Sequence, residues 1–310
     1  MRVFVAGASG ALGSRLIPQL LDAGHEVIGS HASPSSGGRV RALGAKPVMV
    51  DLLDARAVHD AVIESAPDAI VHQATALGNV KWGRSLDKTF ARTNRLRIEG
   101  TDALLAAARE AGVARFAAQS FAPYRYAREG GQVKTEEDPL DLSPPPNTGE
   151  TYRAMTYLEQ AVTGFGGIAL RYGGFYGATN DGLVGPVRKR QLPIVGDGGG
   201  IFPFIHLDDA AAATIRALER DGPAIYNVVD DEPAAVRDWL PVMAEALGAK
   251  PPRRFPAWLV RMVAGEAAVV MGTESRGASN EKAKRELGLT LRYPSWREGF
   301  AAAYSAMPAV

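Results

Sequence analysis

Val3-Phe4-Val5-Ala6-Gly7-Ala8-Ser9-Gly10-Ala11-Leu12-Gly13-Ser14-Arg15-Leu16 passes from strand to helix within a few residues, with glycine where the chain must turn or approach another group. Val3 to Ala6 has no polar face and predicts a strand buried on both sides of a sheet. Leu16, Ile17, Leu20 and Leu21 then repeat at helical spacing until Gly24. In a strand–turn–helix unit of this kind, Gly7 permits the sharp turn, Gly10 lets backbone N–H groups reach a pyrophosphate, and Gly13 lets the helix pack on the strand. The free donors at the helix start face the anion. Ser9, Ala11 and Leu12 complete the turn, so Gly7 to Gly13 is the expected cradle of a dinucleotide.

Composition narrows the setting. With 310 residues, 46% hydrophobic and 22% charged, the chain suits a large α/β domain with an appended lobe. A formal net charge of +1 gives no electrostatic case for nucleic acid or an anionic membrane. Cysteine is absent, which removes disulfides and thiolate nucleophiles, and the five scattered histidines show no metal-ligand spacing. Met1-Arg2-Val3 enters the first strand directly, and no apolar run reaches the about 18 residues of a membrane span, so a cytoplasmic protein is expected. Trp258 to Met271, interrupted by Arg261 and Glu266, predicts an amphipathic helix.

Downstream, strands are predicted at His25 to Gly29, Lys46 to Val50, Pro67 to Ala74, Val113 to Gln119 and Gly167 to Tyr172. Helices are predicted at Arg56 to Ala66, Arg92 to Ala111 and Thr151 to Thr163, and this alternation calls for a parallel sheet with right-handed crossovers. Ser30 to Gly38 reads as a loop beside the adenosine ribose. No acid follows the second strand to accept from a ribose 2′-OH. Ser30, His31, Ser33 and Ser35 are neutral donors, and Arg39 or Arg41 can reach a 2′-phosphate, so NADP is favoured over NAD. His72 to Thr75 falls at a strand's carboxyl end, where ligands of such sheets collect. Phe121 to Gly149 is a long loop, Gly173 to Gly200 is glycine-rich and irregular, and the chain from Pro233 is mostly helical.

These residues resemble the extended and atypical short-chain dehydrogenase/reductase superfamily, the NAD-dependent epimerase/dehydratase group. The resemblance is carried by Gly7 to Gly13, Val71 to Thr75, Glu99 to Gly112, Leu170 to Gly177 and Phe204 to Ala213. It implies a Rossmann-type doubly wound parallel sheet over residues 1–172, completed by 203–232, with a small, mainly helical substrate lobe from 173–202 and 233–310. It further implies that Asp51 and Leu52 flank the adenine, that Gln73, Ala74 and Thr75 lie along the ribose, and that Tyr172 to Tyr176, with Phe175, approach the nicotinamide. A homodimer through the helices Arg92 to Ala111 and Thr151 to Thr163 is implied by the same likeness.

The family's chemistry uses a serine after the fifth strand, here Ser120, and a YxxxK pair on the next helix. That pair is broken. Tyr152 is followed at the lysine position by Thr156, and in the register that matches Glu159 to the family glutamate the two positions hold Thr151 and Met155. A phenol without a neighbouring cation stays near a pKa of about 10, with about one in a thousand ionised at neutral pH, a poor base but a usable acid. The expected function is reduction of a small apolar or aromatic carbonyl compound, with Ser120 and Tyr152 polarising the carbonyl. Phe202 stands where nucleotide-sugar relatives carry arginine. Trp82, Phe121, Tyr124, Tyr126, Phe175, Tyr176 and Phe202 are expected at the cleft. The alternatives are a redox-inactive sensor or scaffold, and an epimerase or dehydratase using Lys81 or Lys134 as a replacement base.

Overall fold

The computed structural model describes residues 1–78, 83–177 and 182–305. Its centre is one sheet of seven strands: β1 (Arg2–Ala6), β2 (Glu26–His31), β3 (Lys46–Met49), β4 (Ala69–His72), β5 (Arg115–Phe121), β6 (Ile168–Tyr172) and β7 (Ala224–Val228). The order is β7-β6-β5-β4-β1-β2-β3, and every neighbouring pair is parallel. The chain steps outward from β1 to β3 and then returns to set β4 on the other side of β1. The order therefore reverses between β1 and β4, which opens a crevice at their carboxyl ends.

Helices α1 (Gly13–Asp22), α2 (Pro34–Ala42), α3 (Ala55–Ser65), α4 (Ala91–Arg95 and Thr101–Glu110, joined by a π turn at Leu96–Gly100), α5 (Gly149–Phe165) and α6 (Leu207–Leu218) cover the sheet. Leu16, Ile17 and Leu20 of α1 and Ala210, Ala213 and Ala217 of α6 share a core with Val3, Val5 and Val71 on one face. On the other face, Val58 and Val62 of α3, Leu104 and Ala108 of α4, and Leu158 and Val162 of α5 pack on Phe4, Ile70 and Phe116. Alternation along the strands accounts for both layers: Val3 and Val5 point one way and Phe4 and Ala6 the other.

Beyond β7 lie α7 (Val236–Ala246), α8 (Ala257–Ala264), α9 (Glu266–Thr273), α10 (Glu281–Leu287) and α11 (Trp296–Tyr304). Trp239 and Met243 of α7 and Trp296 and Phe300 of α11 form a separate core with Tyr176, Phe202 and Phe204. Ala283 and Leu287 of α10 instead join the sheet core, and Val260 of α8 and Val269 of α9 pack with Val195, so the chain after Pro233 does not form one core of its own. Among the described residues no helix is long and apolar enough to cross a membrane.

Four segments differ from expectation. Ser30 to Gly38 is not a loop: β2 runs on to His31 and α2 starts with Pro34 in its first turn. The expected continuous helix Arg92 to Ala111 carries the π turn. Trp258 to Met271 is two helices broken at Gly265, whose φ of 90° no longer follows the helix. Finally, the long loop after β5 is tethered, because Val133–Lys134 pairs with Gly277–Ala278 and Tyr126 bridges Leu140.

Candidate active site

The turn between β1 and α1 is built as the glycine spacing requires. Gly7 has φ +87°, and a Cβ there would lie 2.7 Å from the Ala74 Cα. A Cβ at Gly13 would sit 2.2 Å from the Ala8 carbonyl oxygen, so only glycine lets α1 start this close to β1. At Gly10 a Cβ would meet only the Gly7 carbonyl oxygen, at 3.2 Å, leaving the exposed side of the turn open to a ligand. Leu12, the residue capping α1, gives no side-chain hydrogen bond to the first-turn amides. Open space over Gly10, with uncapped amides behind it, fits a dinucleotide pyrophosphate.

The other expected cofactor residues lie along the same sheet edge. Ser30, at the end of β2, accepts from the Gly7 N–H through its hydroxyl at 3.1 Å and from the Ala8 N–H through its carbonyl at 3.1 Å. His31 turns back to the Ser33 carbonyl at 2.9 Å, under α2. Asp51, after β3, pairs with Arg92 at 3.3 Å, and Leu52 is buried beside Gly100. Gln73 follows β4, donates to the Tyr172 hydroxyl at 3.3 Å and, among the described residues, leaves its buried Oε1 without a partner. Ala74 and Thr75 continue this edge, Ala74 against Gly7. Tyr172 also bonds Thr214 at 2.7 Å and stacks at 5.2 Å on Phe175.

Gly7 and Gly24 make a matched pair for experiment. Both have positive φ, +87° and +79°, but a Cβ at Gly24 would meet nothing within 4 Å. Gly24→Ala is expected to show backbone strain alone, about 1 kcal/mol. Gly7→Ala adds the backbone clash, about 2–4 kcal/mol of total loss, and weakened NADPH binding, read by urea unfolding and cofactor fluorescence. Equal behaviour of the two variants would deny Gly7 its place in the cradle.

Beside the crevice, under α5, lies a buried ionic cluster. Ser120 is inside β5, with Phe116 and Ala118 on the face turned to α5. Its hydroxyl donates to Glu159 at 2.6 Å. Arg171 grips the same carboxylate with two bonds of 2.9 and 2.8 Å, and Arg125 adds two of 3.3 and 3.4 Å. Burial pushes the Glu159 carboxyl up, but the Arg125 charge and the bonds from Arg171 and Ser120 outweigh it and hold it below the usual carboxylate range. Arg125 reaches the Thr156 hydroxyl at 3.2 Å as well. Arg97, on the π turn, points into the same region and is 8% exposed.

The expected catalytic residues are engaged by other groups of the chain. Ser120 is the last residue but one of β5, and its hydroxyl donates to Glu159. Tyr152 is buried and its hydroxyl donates to the Tyr124 carbonyl. Burial, with Asp141 adding to it, pushes the Tyr152 phenol well above its ordinary value, against smaller opposing effects of Arg125 and Arg128. Thr156 is held by Arg125. Thr151, in the other register, bonds Asn94 at 3.1 Å and Asp87 at 3.0 Å. Lys134 is buried against Asp138 at 3.2 Å, away from a base's role, and Lys81 lies outside the described residues, as does Trp82.

Among the aromatics expected at the cleft, Tyr126, Tyr176 and Phe202 belong to the core. Tyr126 packs with Ala122, Val229 and Ala278, and Tyr176 with Phe204 and Phe300. Phe121, Tyr124 and Phe175 are half-buried, and Tyr124 links Phe121 to Phe202 at 6.4 and 5.5 Å between ring centroids. The arginines of the cluster were not among the expected site residues. Arg97 nevertheless stands three, four and seven residues before the buried Gly100, Thr101 and Leu104, and Glu159 is in phase with Met155, Leu158 and Val162. A charge in step with an apolar stripe is the signal that marks them.

The sheet, its switch point and the glycine cradle define a dinucleotide-binding α/β protein. The chain belongs to the NAD dependent epimerase/dehydratase family, whose model matches residues 3–228. It is 40% identical over 308 residues to a 3-diazoavenalumate denitrifying reductase from a Streptomyces species, covering 96% of this chain and 99% of that one. A 4-hydroxy-2-methyl-3-oxo-4-farnesyl-3,4-dihydroquinoline-1-oxide ketoreductase of Stigmatella aurantiaca is 27% identical, over 81% of this chain and 74% of that one. Among solved structures, the UDP-glucose 4-epimerase of Thermus thermophilus in complex with NAD superposes with a TM-score of 0.72 at 25% identity, covering 98% of each chain. The chain is an NAD(P)-dependent oxidoreductase of the short-chain dehydrogenase/reductase type.

Proposed function

We propose that this protein is an NADPH-dependent reductase that replaces the diazo group of a small aromatic compound by hydrogen. The observation that carries the reading is the engagement of the Ser120 hydroxyl with Glu159 and of the Tyr152 hydroxyl with Tyr124, with no lysine at Thr156 or Met155. When bound, the reduced nicotinamide supplies a hydride, and on an aryl diazonium that completes the reaction, ArN2⁺ becoming ArH and N2 with no proton drawn from the protein. The protein's part is then to bind, orient and exclude water. The half-buried Phe121 and Tyr124, backed by the buried ring of Phe202, offer rings to an aromatic substrate. The relative acting on a diazo compound, at 40% identity along nearly the whole chain, supports the same chemistry.

NADPH is favoured by the start of α2. No acid ends β2, and the Ser33 hydroxyl lies 3.1 Å from that of Ser35 and 2.9 Å from that of Ser36, giving donors for a 2′-phosphate. Arg39 and Arg41 are carried to the last turn of α2, so these serines take the role expected of them. The residues assigned to the cofactor are Gly7 to Gly13, Ser30, His31, Asp51, Leu52, Gln73 to Thr75, Tyr172 and Phe175. A homodimer is part of the reading. The exposed Ile98 and Tyr157 lie on α4 and α5, and light scattering at micromolar protein tests it.

A second reading, reduction of an apolar carbonyl, is favoured by the named ketoreductase relative and needs the Tyr152 hydroxyl to leave Tyr124. Loss of a general acid costs about 100-fold or more. The test is NADPH consumption with aryl diazonium salts and with aryl ketones by the natural protein and Tyr152→Phe. Diazonium reduction that survives Tyr152→Phe unchanged is expected. Turnover of ketones alone, lost in Tyr152→Phe, would replace the first reading by the second.

A further inference from the structure

We infer that Arg97, backed by Arg125, binds an anionic group of the substrate, so that the compound reduced is an aromatic carboxylate. This deepens the preceding reading and rests on it for the reaction, while the anion site itself rests on the geometry of the cluster.

Arg97 has five donor hydrogens, and among the described residues its guanidinium makes one hydrogen bond, to the Asn94 side-chain oxygen at the long distance of 3.5 Å. It is more than nine-tenths buried. Burial first, and the neighbouring Arg125 charge second, press it down to about 10, which leaves it cationic at neutral pH. Glu159 is no partner for it, because Ser120, Arg125 and Arg171 already supply five bonds to that carboxylate. Among the described residues the buried Nε of Arg125 is also without a partner. An unpaired buried charge costs several kcal/mol, a cost that a ligand of opposite charge offsets.

The ligand's charge and place follow from the neighbours. Three guanidiniums, Arg97, Arg125 and Arg171, face Glu159, and Glu136 faces Arg171 from the other side, where it accepts from the Asn227 N–H at 2.6 Å. Lys282 faces Glu136 as well, so the two carboxylates leave positive charge over, which calls for an anion, and Glu159 so near disfavours a phosphate dianion. A carboxylate matches the planar fork of an arginine with two parallel bonds. Asn94 holds Thr151, so Arg97 lies at the end of α5 where the family places its reacting groups, apart from the glycine turn that takes the pyrophosphate.

Titration calorimetry on NADP⁺-saturated protein with benzoate and with the neutral isostere benzamide tests this. Benzoate is expected to bind about tenfold or more tightly than benzamide. Arg97→Gln should abolish that preference while NADPH affinity, read by cofactor fluorescence, stays unchanged, and Arg97→Lys should retain part of it. Equal binding of the two probes by the natural protein overturns the assignment and needs no variant. So does a preference that survives Arg97→Gln, or a loss of NADPH affinity in that variant, which would give Arg97 to the dinucleotide. None of these readouts is turnover, so failure to reduce a diazonium would strike the reaction and leave the anion site standing.

Discussion

Glu159→Gln is expected to destabilise the protein by about 3–5 kcal/mol, the loss that follows when one partner of a buried charge cluster is removed. The substitution keeps the shape of the side chain and deletes only its charge. Arg171 is 3% exposed and Arg125 fully buried, so neither guanidinium can recover the loss from water. Arg171 loses a bidentate carboxylate and Arg125 the one ionic partner it has among the described residues, with Arg97 close by to repel Arg125. Ser120→Ala makes the internal control, because it removes one hydrogen bond to the same carboxylate and should cost about 1–2 kcal/mol. Urea unfolding at neutral pH measures both. A Glu159→Gln protein within about 1 kcal/mol of the natural one would mean that the arginines find other partners and that the charge imbalance argued for Arg97 is illusory.

The same cluster shows where sequence reading stops. The β1 turn is legible because its causes are local: an apolar strand, three glycines and an amphipathic helix stand side by side in the chain, and the crossover rules carry the rest of the sheet. Helix α2 was hidden by Pro34-Ser35-Ser36-Gly37-Gly38, residues of turn chemistry. Tertiary packing decides there, since Val40 fills the space above Gly29 and a Cβ at Gly37 would lie 2.8 Å from the His31 ring. Arg97, Arg125, Glu159 and Arg171 come from four separate elements, and no local pattern says that they meet. Ser120 illustrates the finer limit. A strand of the expected length that starts and ends two residues later keeps the serine inside β5, and alternation then turns its hydroxyl toward α5 and Glu159.

His72 should make the protein lose stability steeply as pH falls from 6.5 to 4. The ring is buried at the end of β4, and burial lowers its pKa to about 4, with only a small opposing effect from the Leu96 carbonyl. Its Nδ1 accepts from the Ala74 N–H at 3.4 Å, so the proton is on Nε2, which lies 3.3 Å from the Leu96 carbonyl inside the π turn. A second proton on Nδ1 would break the bond to Ala74, the residue against which Gly7 packs. The unfolded chain takes up that proton near 6.5 and the folded one only near 4, so in this window the unfolded state binds more protons and stability rises with pH. The span corresponds to about 3 kcal/mol, fully present above pH 6.5 and gone by pH 4. His206, lowered to about 4 by burial against the opposing charge of Asp208, works in the same direction, and Asp230, raised to about 8 by burial, works against it across this window. His72→Gln should therefore start less stable at pH 7 yet decline less between pH 6.5 and 4. A variant that keeps the full slope of the natural protein would show that the ring takes up its proton without leaving the fold. Loosening Ala74 also reaches the cofactor cradle, so NADPH affinity in the natural protein should fall over the same interval and stay flatter in His72→Gln.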